Sequence, residues 1–206
     1  MNNCYKRHYY FYDWLIFYDI DEYIHLKNYS HIKNFLNEKK FSHCQLIYLN
    51  LIVHSDNNQI HYQNKSLFER FKDIVPKIKP DGQMLEIKFI LKGHIPNINI
   101  ENQHYCNNKL MNCNGFGKFN TNIGLYTKEP DYYYYYIDHF FSKSTEELID
   151  KIKKGDVVLG FMQFCKVERY FNQSNITKEK VDLIEKKLGF NLSKYKQNFY
   201  QNFEKI

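Results

Sequence analysis

The chain has 206 residues, of which 43% are hydrophobic and 25% charged, and it carries a formal net charge of +6. This length and composition fit one domain with a packed core and exclude a globally disordered protein. The basic residues are spread along the chain and not massed in one block, so a nucleic-acid-binding protein is not predicted. The same positive charge is compatible with a site that receives a diphosphate.

Residues 1–13 are polar and aromatic, without the pattern of a signal peptide, and no apolar run approaches the roughly 20 residues of a membrane span. We therefore predict no transmembrane segment and a cytoplasmic location. The five cysteines are odd in number and widely spaced, which favours reduced thiols over a disulfide framework. A zinc site formed by His104, Cys106 and Cys113 is not predicted, because no Cys-x-x-Cys spacing supports it.

The hydrophobic pattern predicts four strands. Residues 14–18 and 46–53 are short, apolar runs whose length suits strands that are buried in a covered sheet. Residues 86–91 and 132–137 are predicted as two further strands. The polar segment 93–118 lies between them and is predicted to be a long loop, which in a compact domain is usually functional.

Helices are predicted to alternate with these strands. Residues 29–37 carry an apolar stripe at helical spacing, and Ser144-Thr-Glu-Glu147 is a capping-box pattern that opens a helix ending near Lys154. From residue 161 onward the pattern is that of two or three amphipathic helices. We expect an α/β fold, a mixed sheet flanked by helices, over residues 1–160, with a helical tail, residues 161–206, packed on the same domain.

Asp19 and Asp21 follow directly after the apolar run at 14–18. In open α/β sheets ligands bind beyond the carboxyl ends of the strands, so two carboxylates at this position are placed where a site is expected. Because they are two residues apart, an extended backbone points both to the same side. Paired carboxylates suit a hard cation such as Mg²⁺ or Mn²⁺, which can clamp a diphosphate.

This acidic motif has three other interpretations. It could be a solvated turn after a strand. An EF-hand loop is not predicted, because Ile24 stands where the sixth loop position requires glycine. A phosphatase of the haloacid dehalogenase type also has an apolar strand ending in D-x-D, with the first Asp as nucleophile. That class requires a small hydroxyl residue or valine at the position of Tyr23 and an acidic pair after a later strand. Neither is present, and Asp156 follows a predicted helix.

The segment Trp14–Ile24 resembles the tryptophan-led D-x-D-E segment of glycosyltransferase family 92 and its family-2-like relatives, which have a GT-A fold. A second block, Ile137–Ser144, resembles that family's His-Tyr-x-x-Lys-Ser segment and stands in the same order. The resemblance covers roughly residues 4–160, and the two blocks together are fairly specific. Smaller agreements are Glu69–Phe71, the basic stretch Lys77–Lys79, the pair Glu146 and Glu147, and Lys151.

The resemblance implies transfer of a sugar from a nucleotide-sugar donor, most often a UDP-sugar, to a hydroxyl of a glycan or glycoconjugate acceptor. By position, Asp21 would ligate the metal, and Asp19 would contact the donor ribose or a metal-bound water and so contribute to the metal site. His139 would be a further metal ligand and Lys143 a phosphate partner. The helix that opens after Ser144 would add an N-terminal dipole that favours anions.

Each of these residues also has a structural explanation. His139, beside aromatic residues, could be a packed core histidine, and Lys143 could be solvated. Ser144 is explained as a helix N-cap. Glu69 is a candidate general base in an inverting transfer, since a carboxylate must deprotonate the acceptor hydroxyl, but it could equally form an ion pair with Arg70.

The chain departs from the family pattern at two places. Phe140 stands where the family has tyrosine after the motif histidine. Only 18 residues precede Asp19, whereas the family places a nucleotide-binding half of on the order of a hundred residues there. We therefore expect the strand at 14–18 to lie at or near a sheet edge. We also expect this chain alone to have little or no transferase activity and to bind a nucleotide diphosphate weakly, if at all. A catalytically silent relative that acts as a binding module is the alternative function.

Overall fold

The computed structural model describes residues 1–75, 87–102, 104–106, 110–119, 132–141, 143–154, 167, 170, 175–189 and 192. Its contacts divide the chain into two compact units, which we call the sheet unit, residues 1–52 and 76–139, and the helical unit, residues 53–75 and 140–206. The predicted α/β class is confirmed. Most of the predicted tail after residue 160 lies outside the described residues, so its packing stays a prediction.

The described residues contain eight strands and five α-helices. The strands are β1 (Trp14–Ile16), β2 (Glu22–Leu26), β3 (Leu46–Val53), β4 (Ile87–Lys92), β5 (Ile100–Asn102), β6 (Tyr105–Cys106), β7 (Asn112–Asn114) and β8 (Tyr135–His139). The helices are α1 (Asn2–His8), α2 (Ile32–Leu36), α3 (Leu67–Arg70), α4 (Thr145–Lys153) and α5 (Lys178–Leu188), with a 3-10 turn at Lys39–Phe41. None of these helices is long and apolar enough to cross a membrane.

The main sheet has the strand order β1-β4-β3-β8-β2, and β7 pairs with β3 outside this path. Strand β1 is antiparallel to β4, β4 to β3, and β2 to β8, while β7 runs parallel to β3. The sheet is therefore mixed, as predicted. The acidic motif follows the carboxyl end of β1, as predicted, and β1 itself is paired antiparallel to β4.

The predicted edge position of the first strand is confirmed, since β1 ends the strand order. It is shorter than predicted and only half-buried, and among the described strands it pairs with β4 alone. By contrast, all eight residues of β3 are buried. Apolar side chains that alternate along β3 pack on both of its faces, Ile47, Leu49 and Leu51 in one cluster and Leu46 and Tyr48 in another. The predicted loop 93–118 was also wrong in part, because it contains β5, β6 and β7.

Cys44 and Cys113 form a disulfide, which links the start of β3 to β7 across a separation of 69 residues. The expectation of reduced thiols was therefore wrong for this pair, because strand pairing brings together cysteines that lie far apart in sequence. Cys4 and Cys106 are free thiols, and Cys165 lies outside the described residues. Disulfides persist in oxidising compartments, so the thiol argument for a cytoplasmic location no longer holds and that location stays a prediction.

The helical unit packs α4 and α5 around a small apolar core. A buried polar network accompanies this core: the Asp56 carboxylate accepts hydrogen bonds of 2.6 Å from the Tyr170 hydroxyl and from the Lys180 ammonium. Because all three side chains are buried, the charge of Lys180 is compensated where it lies. This network is structural and involves none of the predicted site residues.

Candidate metal and diphosphate site

The acidic motif lies in the turn that joins β1 to β2, which we call the acidic turn, residues 19–22. The turn is closed by its own acidic residues: the Glu22 N–H donates to the Asp19 carbonyl at 3.1 Å, and the Asp19 N–H donates to Glu22 Oε2 at 3.0 Å. Ile20 is 95% exposed, whereas Asp21 and Glu22 are buried. Asp19 is half-exposed, so the turn has carboxylates both in the protein interior and at the surface.

His139 lies beside the acidic turn because β8 and β2 pair antiparallel, with His139 directly opposite Glu22. Its Nε2 atom lies 3.9 Å from Asp21 Oδ1 and 3.9 Å from Glu22 Oε1, and the side chain is buried. The expected approach of His139 to Asp21 is thus observed. Their role as metal ligands stays a prediction.

Lys88 of β4 is a member of this site that the sequence analysis missed. Its side chain is fully buried, and its Nζ atom lies 3.1 Å from Glu22 Oε1 and 3.3 Å from Asp19 Oδ2. A lysine is almost never fully buried unless it is paired. The signal was present in the sequence, because Lys88 interrupts the otherwise apolar run Ile87–Leu91.

The carboxylates of this cluster have different surroundings. Burial raises the pKa of Glu22, while the Asp19 N–H and the Lys88 ammonium act to lower it. Asp19, Asp21 and Glu22 place carboxylate oxygens in the same region as the His139 imidazole. Oxygen ligands favour a hard divalent ion.

The distances fit an ion that the protein holds with few ligands. In an octahedral complex with bonds of about 2.1 Å, ligand atoms are about 3.0 Å apart in adjacent positions and about 4.2 Å in opposite ones. The 3.9 Å between Asp21 Oδ1 and His139 Nε2 lies between these two spacings, so the side chains would have to shift slightly to share one ion. No three ligand atoms of the acidic turn and His139 lie within 4.8 Å of one another in the described part of the chain. Mg²⁺-type ions are usually held by one or two carboxylates with substrate phosphates completing the shell.

An open cleft of about 1180 Å³ adjoins the acidic turn, and Ile20 and Glu22 form part of its lining. The cleft is rich in aromatic rings. His25 stacks on Tyr136 with ring centroids 4.3 Å apart, and the Lys27 ammonium lies 3.2 Å from the centroid of Tyr133. The remaining lining tyrosines are Tyr18, Tyr23, Tyr29 and Tyr132.

Glu69 belongs to the helical unit and serves as a helix cap. Its Oε2 atom accepts hydrogen bonds from the N–H and the hydroxyl of Ser66, at 3.0 and 2.7 Å. These bonds lower the pKa of Glu69, which weakens it as a base. Ser66-Leu-Phe-Glu69 is the same capping-box pattern that was recognised at Ser144, so the sequence contained this explanation. The alternative partner Arg70 instead contacts Glu147.

The start of α4 does not support the predicted phosphate contact of Ser144, and the predicted contact of Lys143 stays a prediction. The Ser144 hydroxyl is buried and donates to Glu147 Oε2 at 2.6 Å, which confirms the capping box. Arg70 also pairs with Glu147 there. Every N–H group of the first turn is engaged, so none is left for an anion. Their acceptors are Glu147 Oε2 for Ser144, the carbonyls of Gln59 and Ile60 for Thr145 and Glu146, and Ser144 Oγ for Glu147.

Lys143 itself is half-buried next to this cap. The basic stretch Lys77–Lys79 and the acidic residue Asp156 lie outside the described residues.

No protein-family model matches the chain, and no curated protein and no solved structure is significantly similar to it. A functional proposal therefore rests on the chemistry of the acidic turn, of Lys88 and His139, and of the aromatic cleft.

Proposed function

We propose that the protein is a metal-dependent glycosyltransferase with a GT-A-type site, in which the acidic turn holds Mn²⁺ or Mg²⁺ and the diphosphate of a nucleotide-sugar donor. The observation that carries the proposal is the buried pair of Asp21 and His139, 3.9 Å apart, in an acidic turn whose Ile20 and Glu22 line an open cleft. Carboxylate and imidazole groups that lie this close are ligands that a divalent cation accepts.

The division of labour follows from burial. Asp21 and His139 would ligate the ion, with Asp19 at the exposed side of the turn, where it can meet the donor or a metal-bound water. Lys88 is fully buried, so we do not assign it a direct contact with a ligand that binds from solvent. It instead holds Glu22 and Asp19 in place and offsets part of their repulsion, so that the turn keeps its form before the ion arrives.

The cleft supplies a place for the acceptor. Tyrosine rings offer broad apolar faces with hydroxyl groups at their edges, and this combination suits a ligand whose faces are apolar and whose rim is polar. Sugar rings have this character. A glycan in the cleft would lie along Tyr133 and Tyr136, near the acidic turn where the donor diphosphate is proposed to bind.

The second candidate function is a catalytically silent binding module, and specific contacts favour it. The predicted base Glu69 is engaged as a helix cap, and the predicted phosphate contact Ser144 is engaged with Glu147. Glu69 as the base and Ser144 as a phosphate contact are both required by the transferase interpretation, yet both side chains are hydrogen-bonded within helix caps. In this case the acidic turn would still bind a cation, but no sugar would be transferred.

The test is a calorimetric titration of the full chain with Mn²⁺, followed by UDP, compared with a transfer assay on glycan acceptors. We expect Mn²⁺ to bind and UDP binding to require Mn²⁺. Asp21→Asn should abolish both, whereas Asp13→Asn, which changes a carboxylate 89% exposed outside the cluster, should leave both unchanged. Transfer of sugar from a UDP-sugar separates the transferase from the silent module. Equal Mn²⁺ binding by wild type and Asp21→Asn would refute both.

A further inference from the structure

The best-formed group of soft metal ligands in the described residues lies in the sheet unit and takes no part in the acidic turn. His43, Cys44 and Cys113 have ligand atoms that all lie within 4.8 Å of one another. Cys44 follows the 3-10 turn, and Cys113 lies in β7, where the parallel pairing places it opposite Ile47 of β3. The two sulfurs are joined as a disulfide.

The imidazole of His43 is placed symmetrically with respect to both sulfurs. Its Nε2 atom lies 3.7 Å from Cys44 Sγ and 3.6 Å from Cys113 Sγ. In a tetrahedral zinc site with Zn–S bonds of about 2.3 Å and Zn–N bonds of about 2.05 Å, a ligand nitrogen and a ligand sulfur are about 3.6 Å apart. His43 therefore already stands at the distance from each sulfur that a shared zinc ion would require.

We propose that His43, Cys44 and Cys113 form a redox-controlled zinc site, in which the oxidised state is the observed disulfide and the reduced state binds Zn²⁺. Two thiolates and one imidazole are ligands that zinc prefers, and three protein ligands leave a fourth position for water. Because Cys44 and Cys113 are buried whereas His43 is exposed, the ion would be reached from the side of His43.

The chemistry is a thiol–disulfide exchange followed by metal binding. A thiolate of a small dithiol attacks one sulfur of the pair, forms a mixed disulfide and expels the other cysteine as a thiolate. The second thiol of the reductant then displaces the remaining cysteine, so the dithiol leaves as a disulfide and both cysteines are reduced. Zn²⁺ binds the two thiolates and the neutral imidazole, with release of the thiol protons to solvent.

The reaction needs little rearrangement of the chain. The Cα atoms of Cys44 and Cys113 are 5.8 Å apart. The two sulfurs must separate from bonding distance to about 3.8 Å, which is the spacing of two sulfurs on one tetrahedral zinc ion. Rotation of the cysteine side chains about their Cα–Cβ bonds can supply a movement of this size, because side chains exchange between staggered rotamers.

The experiment uses Co²⁺ as a coloured substitute for Zn²⁺ in the full chain. To remove signals from other thiols, it starts from a background in which Cys4, Cys106 and Cys165 are replaced by serine. We expect the protein reduced with a phosphine to bind one Co²⁺ ion through its thiolates, with the intense absorption of thiolate-to-cobalt charge transfer, and excess Zn²⁺ to displace it. A Co²⁺ ion held by the acidic turn would give no such band. The oxidised protein should show no such band.

His43→Ala is the decisive variant, because it retains both cysteines and the disulfide that joins them. We expect it to weaken Co²⁺ binding by about tenfold or more, a loss that even the outer partner of a metal ligand can cause. An affinity unchanged from that of the background protein would overturn the role of His43. Absence of the charge-transfer band in the reduced, folded protein, checked by circular dichroism, would leave a purely structural disulfide and overturn the proposal. Neither result depends on the proposed glycosyltransferase function, since the acidic turn shares no residue with this cluster.

Discussion

The acidic turn and the start of α4 are both rich in carboxylates, and both belong to sequence blocks that suggested one nucleotide-sugar site. In the structure they satisfy their charges in different ways. At the start of α4, Glu147 accepts hydrogen bonds from Ser144 and Arg70, and the first-turn N–H groups all have acceptors. The N–H groups of this first turn and the Ser144 hydroxyl are therefore not available to a phosphate.

The acidic turn lies in the connection from β1 to β2, and strand pairing brings Lys88 of β4 and His139 of β8 beside it. The buried carboxylates of Asp21 and Glu22 each lie 3.9 Å from His139 Nε2. The comparison teaches that a functional site is indicated less by the number of charged residues than by ionisable side chains that the fold gathers and buries in one place.

The largest expected effect concerns Lys88. Lys88→Met leaves Glu22 buried without its ammonium, and breaking a buried pair by removing one partner costs about 3–5 kcal/mol. We expect a loss of this size in the free energy of unfolding, measured by urea denaturation of the metal-free protein. Lys92→Met, on the same strand but only half-buried, should cost less than about 1 kcal/mol. Equal losses for the two variants would show that Lys88 is not an essential counter-charge.

The two regions should also respond to pH in opposite ways. The pKa of Glu22 is raised by burial above its ordinary value of 4.5, so the folded state retains this proton longer than the unfolded state does. Its contribution to stability is present below pH 4.5 and is lost as the pH rises through the folded pKa. Glu22→Gln should remove this loss, as measured by thermal unfolding in a chelator-treated buffer.

The contribution of Glu147 to stability depends on pH in the opposite direction to that of Glu22. Burial alone would raise its pKa, but hydrogen bonds from Arg70 and Ser144 and the charge of Arg70 outweigh burial and lower it. Its contribution is present above pH 4.5 and is lost as the pH falls through the folded pKa. Glu147→Gln should therefore flatten the acid side of the stability profile, whereas Glu22→Gln flattens the side above pH 4.5. Identical profiles for the two variants would contradict the comparison.

The smallest expected effect concerns Ser144. Ser144→Ala removes a helix cap, and such a change costs about 1 kcal/mol of stability. Because the hydroxyl is committed to Glu147, we expect no change in the affinity for Mn²⁺ or for UDP in its presence. A loss of UDP affinity with stability intact, measured by calorimetry, would restore Ser144 as a phosphate contact.

Sequence patterns predicted the parts of this molecule that depend on local order. The D-x-D-E motif, the His139 block and the capping box of α4 were found because each is a short pattern with a fixed spacing. The edge position of β1 was also predicted, and β1 ends the order of the described strands. The capping box at Ser66 was a local signal as well, but Glu69 was interpreted only as a base.

The parts that were missed depend on pairing between distant strands. Lys88 meets Glu22 because of the sheet order, which no single segment encodes. The disulfide of Cys44 and Cys113 results from the parallel pairing of β3 with β7, across 69 residues. The antiparallel direction of β1 was likewise invisible in its composition, because a short apolar run is compatible with either direction.

The central claim is that Asp21 and His139 bind one divalent cation, and pulsed electron paramagnetic resonance of bound Mn²⁺ tests it most directly. Echo-modulation spectra report a nitrogen nucleus that is bonded to the ion. We predict a histidine nitrogen coupling in the wild type, its loss in His139→Gln with the ion still bound, and no bound Mn²⁺ in Asp21→Asn. A bound ion without nitrogen coupling in the wild type, or a coupling that survives in His139→Gln, would contradict this account of the site.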